Sequence, residues 1–212
     1  MKLIVNADDF GMSIGTNYGI LQAMTRGIVT STTMMVNGEA VDQAVELIKS
    51  YKLAVGLHIN LSLGSPLTNA PTLIEKGEFI KPKNLIDNDA RFDEGQLQRE
   101  IQAQFDKFCD LTAKLPTHID SHLYTHQKFP KVKEQVLQLA DKYKLPVRQF
   151  GASIYDGVEF EGSFKLLKGE SPQELQSKLF NILLKIQQSG KTTELMVHPA
   201  FVDRFLYAKS TY

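Results

Sequence analysis

Apolar and polar positions alternate between two patterns along this chain. Short apolar runs, of the kind buried in a sheet, are followed by stretches with apolar residues at helical spacing. Leu3-Ile4-Val5 is a continuous apolar run, as in a strand covered on both faces. Residues 17–26 carry Ile20, Leu21 and Met24 on one side and predict a helix. A Thr-, Met- and Val-rich strand follows at 31–36, then a helix marked by Val41, Ala44, Val45 and Ile48, then a strand at 53–61. Between 62 and 95 the periodicity is lost, and Gly64, Pro66, Pro71, Gly77, Pro82 and Gly95 interrupt the chain. A loop this long is usually functional, and an excursion beside the active site holding a hairpin is expected.

The rhythm then resumes. Leu97, Ile101, Phe105, Phe108 and Leu115 mark a long helix that Pro116 stops. A short strand is expected at 117–120, a helix over Val132, Val136, Leu139, Ala140 and Tyr143, and a strand at 145–150. A Gly-containing connection leads to Ser171-Pro172, where a capping residue, Pro at the first helical position and Glu174 open another helix. Leu175, Leu179, Ile182, Leu183 and Ile186 form its apolar face, Gly190 ends it, and a last strand is expected at 194–197. Six βα units in a row predict a parallel sheet covered by helices, either a (β/α) barrel or an open doubly wound sheet. Asp8-Asp9-Phe10-Gly11 follows the first strand in place of a Gly-rich fingerprint, which argues against a dinucleotide site.

Composition narrows the class. The 212 residues suit one domain with a core of its own, and 42% apolar with 23% charged is ordinary for a globular chain. Lys+Arg and Asp+Glu both number 24, which argues against a nucleic-acid wrapper or a polybasic membrane binder. One cysteine, Cys109, excludes an internal disulfide framework and a Cys-based zinc module. No apolar run approaches the roughly 20 residues of a membrane span, and residues 2–8 lack a signal-peptide pattern, so a cytoplasmic protein is expected.

The chemistry-bearing residues gather at the C-terminal ends of the expected strands: Asp8 and Asp9 after the first, Asn37 after the second, His58 in the third, His118, Asp120 and His122 in and after the fourth, Arg148 in the fifth and His198 after the last. In a barrel those ends converge on one face, where barrel active sites form. Adjacent Asp8 and Asp9 point oppositely along an extended chain and reach one cavity only where the strand is ending; otherwise one caps a helix and the other is solvated. Alternation puts His118, Asp120 and His122 on one side, with Asp120 either a metal ligand or the group that fixes an imidazole tautomer. His122 and His126 share a face if a helix begins there. Arg148 suits a carboxylate or substrate oxygens, and His198 before Pro199 suits a positioned acid or base or a backbone-bonded core histidine. An Asp and two His around a divalent ion leave positions open for a hydrolytic water and a polarised carbonyl.

The ordered set Asn6-Ala7-Asp8-Asp9-Phe10-Gly11, Gly27-Ile28-Val29-Thr30-Ser31-Thr32, Gly56-Leu57-His58, Thr117-His118-Ile119-Asp120-Ser121-His122 and His198-Pro199-Ala200-Phe201 resembles the YdjC-like carbohydrate deacetylases over residues 2 to about 203. The resemblance implies a deformed (β/α) TIM-like barrel, here a single catalytic domain over 1–212, and metal-dependent removal of N-acetyl groups from small N-acetylglucosamine oligosaccharides such as diacetylchitobiose. It implies Asp9, His58 and His122 as metal ligands, Asp8 as base and, by a more distant analogy, His198 as acid. Asn37, Asp120, His118, His126 and Arg148 are then expected in substrate binding or in support of the ligands. The metal implied is Mg²⁺, while two imidazoles favour Zn²⁺ on chemical grounds. The implied partner is a small oligosaccharide, with neither nucleic acid nor membrane, and a homodimer fits the family. Two departures stand out: Leu123-Tyr124-Thr125-His126 replaces a more histidine-rich run, and family members generally continue beyond the position of Tyr212, so altered substrate contacts and a barrel either incomplete or differently closed are expected. Two other readings remain, hydrolysis of another acylated or phosphorylated sugar (or of a glycosidic bond) on this scaffold, and a non-catalytic sugar-binding relative.

Overall fold

The computed structural model describes residues 2–82, 90–149, 157–165 and 169–209. Its strands are β1 (Leu3–Phe10), β2 (Ser31–Met34), β3 (Val55–Ile59), β4 (Ile74–Glu75), β5 (Glu78–Phe79), β6 (Ile119–Ser121), β7 (Val158–Phe164) and β8 (Thr192–Val197). Its helices are α1 (Ile14–Arg26), α2 (Val41–Tyr51), α3 (Glu94–Thr112), α4 (Thr125–Lys128), α5 (Pro130–Tyr143), α6 (Pro172–Ser189) and α7 (Arg204–Lys209).

Six strands form one sheet in the order β6-β3-β2-β1-β8-β7, and every pairing is parallel. A single parallel bridge from Ile119 to Val147 extends the order beyond β6. Each strand thus neighbours its predecessor around a ring, as in a barrel, and among the described residues no pairing joins Val147 to β7. The fold is an α/β half-barrel, a deformed TIM-like barrel, and the doubly wound alternative falls away because the order never reverses.

Outward-facing residues such as Val5, Ala7, Leu57 and Ile119 join the helices in one core with Ile20, Ala44, Ile48, Leu97, Phe105 and Val136. The helices start where their caps dictate. Ser13 accepts from the Thr16 amide to open α1, and Asp93 accepts from the Gln96 amide to open α3. Ser171 and Glu174 complete a reciprocal capping box on α6, and Gly190 closes that helix at φ 68°.

Two expectations about the strands need correction. The strand expected at 145–150 reduces to the bridge at Val147, with Phe150 outside the described residues. The connection expected before Ser171 contains β7, whose Gly162 sits at φ 99° beside a register shift. As an edge strand of mixed Glu and aromatic residues it lacks the continuous apolar run of a central strand. The break at 62–95 does hold a hairpin, β4–β5, although 83–89 fall outside the described residues.

Candidate metal centre and active site

The inner surface of the half-barrel is polar. Asn6 and Asp8 of β1, Thr33 of β2, His58 of β3, Asp120 of β6 and Glu194 of β8 are all buried there. Asp9 follows Asp8 directly, so simple alternation would turn it outward. Its backbone instead adopts φ 73°, and the register of β1 with β2 shifts between Ala7 and Phe10. This left-handed residue at a bulge returns Asp9 to the face that Asp8 occupies. Gly56 serves the same wall: a Cβ there would meet the His118 ring and its carbonyl, so only glycine lets β3 lie this close to β6.

Asp9 Oδ1 lies 3.1 Å from His58 Nε2 and 2.8 Å from His122 Nδ1. The ligand atoms of Asp9, His58 and His122 all lie within 4.8 Å of one another. On the far side of the Asp9 carboxylate, Oδ2 is 4.0 Å from His198 Nε2. His198 is held over α1 by a close backbone approach, since Gly15 and Gly19 leave room for Phe201 and Ala200 where any Cβ would clash. Asp9 and His198 also line a cavity of ≈ 960 Å³ whose other walls are largely apolar, among them Val5, Val29, Leu179 and Leu195.

Arg148 anchors the second carboxylate. Its Nη1 and Nη2 fork Asp8 Oδ2 and Oδ1, each at 2.7 Å. Nη2 also meets Asp120 Oδ2 at 2.8 Å, Nη1 reaches the Met196 sulfur at 3.2 Å, and Nε donates to Glu194 Oε1 at 2.7 Å. All five N–H bonds of this buried guanidinium are engaged. Burial alone would weaken its positive charge, but Asp120, Asp8 and Glu194 more than compensate and raise its pKa well above the ordinary arginine value.

Asp120 bridges Arg148 to the first cluster. Its Oδ1 is 2.6 Å from His58 Nδ1, and its Oδ2 accepts from Thr33 at 2.9 Å. Burial works against its charge, yet Arg148 and His58 hold it far below the usual carboxylate range. Burial also favours the neutral acid at Asp9, and His122 and His58 outweigh it, again lowering the pKa. His58 loses to burial what Asp120 and Asp9 more than restore, and its pKa rises to about 10.

The donor set fits a divalent cation. With Nδ1–H donating to Asp120, Nε2 of His58 is the nitrogen that an ion would meet, in place of the proton it carries without one. That atom is buried and has no hydrogen bond, because its 3.1 Å approach to Asp9 lacks hydrogen-bond alignment. Asp8, Asp120 and Glu194 all bind the Arg148 guanidinium, whereas the buried Asp9 carboxylate faces the imidazoles of His58 and His122, where a dication would offset its charge. A second potential set, Asp8 with His58 and Asp120, fits less well, because both of its carboxylates already bind Arg148.

The remaining expected residues sit nearby in other surroundings. His118 Nε2 is 3.1 Å from Asn6 Oδ1, and its Nδ1 is 2.9 Å from the Thr117 hydroxyl; burial lowers its pKa to about 4. His126 does not share a helical face with His122, because Leu123 and Tyr124 both adopt left-handed conformations between them. It instead links the Ser121 hydroxyl to the Arg148 carbonyl, and burial lowers its pKa to about 4 as well. Asn37 accepts from Asn60 at 3.0 Å and reaches the Ser65 carbonyl at 3.4 Å, joining two loops at the sheet's C-terminal edge. Glu194 and Asn6 were not singled out in the sequence. Glu194 directly precedes the apolar run Leu195-Met196-Val197, and a charge at that place in a strand is the available signal.

Fold and site together define an α/β half-barrel with a two-histidine, one-aspartate cluster that could hold a metal ion at the C-terminal ends of its strands. The chain belongs to the YdjC-like protein family, whose model matches residues 2–211. It is 37% identical to carbohydrate deacetylase 2 of Listeria innocua, covering 100% of this chain and 86% of that protein. It is 36% identical to the chitooligosaccharide deacetylase of Escherichia fergusonii, covering 95% and 82%. A solved structure from Enterococcus faecalis, a candidate cellobiose-phosphate cleavage protein, superposes with a TM-score of 0.84 at 29% identity, covering 100% of this chain and 85% of that one. No helix among the described residues is long and apolar enough to cross a membrane.

Proposed function

We propose that this chain is a divalent-metal-dependent deacetylase that hydrolyses the acetamide of a small N-acetylated sugar, with diacetylchitobiose as the first substrate to try. The observation that carries this reading is Asp9, His58 and His122 converging beside Asp8 and His198 on one barrel face. The names of the Listeria and Escherichia relatives support the same substrate class. Asp9, His58 and His122 would hold the ion, which when bound supplies an acidified water and polarises the acetamide carbonyl.

The protein's own groups divide the rest of the work. Asp8 is the base that takes the water proton. Its Oδ1 accepts from Asn6 and Arg148 while Oδ2 accepts from Arg148 alone, so Oδ2 retains an open lone pair. His198, across Asp9 from the imidazole pair, gives a proton to the departing amine. Water and amide are consumed, and acetate and a free amino sugar are released. The finer parts of the reading are Mg²⁺ as the metal and a homodimer, which follow the family resemblance, and a cytoplasmic location and one catalytic domain with 62–95 as a loop beside the site, which follow the sequence pattern. Zn²⁺ is the chemical alternative.

Glycoside hydrolysis is disfavoured on geometry. It needs two carboxylates flanking a sugar, roughly 5–10 Å apart. Asp8 and Asp120 instead converge on the same nitrogen, Arg148 Nη2, at 2.7 and 2.8 Å. The deciding experiment is acetate release from diacetylchitobiose by metal-stripped protein, with Mg²⁺, Zn²⁺, Co²⁺ or nothing added back. Metal-dependent acetate is expected. Cleaved glycosidic bonds, or substrate binding without turnover by folded, metal-loaded protein, would overturn the reading in favour of a glycosidase or a binding protein.

A further inference from the structure

The geometry points to Glu194 as a positioning residue that holds Arg148 in the orientation needed to present Asp8. The proposal rests on Asp8 being the base, and its test is chosen to stand apart from that reading.

Glu194 is 1% exposed in the middle of β8, between Thr193 and the apolar run Leu195-Met196-Val197. A carboxyl group is retained in such a place only with a partner. Its Oε1 receives the Arg148 Nε–H at 2.7 Å, while its Oε2 has no hydrogen bond. Burial pushes its pKa up to about 7, against the pull of Arg148. Glu194 therefore makes one contact of consequence, and that contact is to the edge of the guanidinium remote from Asp8.

The guanidinium is planar, so two contacts on different edges fix its rotation. The Nη1–Nη2 edge forks Asp8, and the Nε–H to Glu194 is the opposing contact that stops the plane from turning. The remaining contacts do not replace it: Met196 offers a weak sulfur acceptor to Nη1, Asp120 shares Nη2 with Asp8, and the Phe160 ring, 5.3 Å from Cζ, covers the face of the guanidinium without fixing its rotation within the plane. With Glu194 gone, Asp120 is free to draw Nη2 toward itself, and the two-pronged hold on Asp8 becomes single. No hydrogen bond or ion pair among the described residues links Glu194 to Asp9, His58 or His122, and Asp120 keeps its bonds to Thr33 and His58 when Arg148 turns, so the loss of Glu194 acts mainly on the catalytic step.

The test pairs Glu194→Met, of similar volume without an acceptor, with Glu194→Gln, which keeps an oxygen for the Arg148 Nε–H. Crystal structures of both variants read the Asp8–Arg148 fork directly, whether or not the enzyme turns over the sugar tried. E194M is expected to lose the fork, and E194Q to keep it. In kinetics, kcat of E194M should fall about 10- to 100-fold with KM and metal affinity nearly unchanged, and E194Q should recover most of it. An intact fork in E194M, or a fork lost in E194Q, overturns the proposal. If E194M does not fold, E194Q alone decides, because loss of its fork would mean that charge and not the accepted hydrogen bond sets Arg148. Absence of activity in the unaltered protein would count against the proposed function and leave the structural comparison to decide this one.

Discussion

The Nδ1 of His58 lies 2.6 Å from Oδ1 of Asp120, and that one bond decides which nitrogen of the imidazole an ion meets. Asp120 in turn is fixed by Arg148 and Thr33. Asp120→Asn weakens the carboxylate's hold on the His58 proton and loosens the ring's orientation. Metal affinity is expected to fall about 10- to 100-fold, as when such supporting carboxylates are removed elsewhere. Titration of metal-stripped protein by calorimetry checks this, with His58→Ala and His122→Ala as the more severe references. Unchanged affinity in Asp120→Asn would separate Asp120 from the metal centre.

Asp8 and His198 should affect catalysis without affecting the ion. Neither belongs to the Asp9, His58 and His122 set, and Asp8 is bound to Arg148. Asp8→Asn and His198→Ala are each expected to lower kcat by about 10²- to 10⁴-fold, while metal content by elemental analysis stays at the level of the unaltered protein. Loss of metal from Asp8→Asn would make Asp8 a ligand and the assignment of the base wrong.

The long loop after β3 has a buried anchor on α3. Glu100 is 0% exposed and accepts from the amides of Leu67 and Thr68 at 3.0 and 2.9 Å and from the Thr68 hydroxyl at 2.8 Å. Gln104, one turn on, donates to Glu100 and to the Asn60 carbonyl and accepts from the Asn60 amide. Glu100→Ala orphans two backbone amides and should cost about 2–3 kcal/mol in urea unfolding. Limited proteolysis should then cut first near residues 62–70. A variant as stable as the parent and equally resistant would show that the loop is held from elsewhere.

Much of this architecture was legible because apolar spacing and capping chemistry are local. The Ser171–Glu174 box and the Gly190 terminator read directly from the chain. The site residues were legible because polar groups in apolar strands are costly without a partner. What escaped the sequence depends on contacts distant in the chain. Asp9 joins the face of Asp8 only through its left-handed backbone at a bulge. Glu194 matters only because Arg148, 46 positions away, lies against it. β7 was hidden because an edge strand carries weaker patterning than a central one, and the expected strand at Val147 shrank to one bridge because it sits at the end of the strand order among the described residues.

Those buried groups also set how stability follows pH in the metal-free protein. Folded His118 and His126 titrate near 4 against a reference of 6.5, so unfolding takes up protons between those values and stability rises with pH there. Glu194 opposes them with a folded value near 7 against 4.5, so its contribution is lost as pH rises through that window. Two histidines outweigh one carboxyl group up to about pH 6.5. Above it the balance reverses, because His58 titrates near 10 when folded, and its stabilisation, complete below 6.5, drains away toward pH 10. Maximum stability is therefore expected near pH 6.5, checked by urea unfolding in chelator at about pH 5, 6.5 and 8.5. Adding the divalent ion should abolish the alkaline loss, because His58 Nε2 then binds the ion in place of a proton. At pH 8 ion binding should release about one proton, read by calorimetry in buffers of different ionisation enthalpy. An ion that binds at pH 8 without releasing a proton would mean that Nε2 of His58 carries none to displace, and the alkaline loss would need another source.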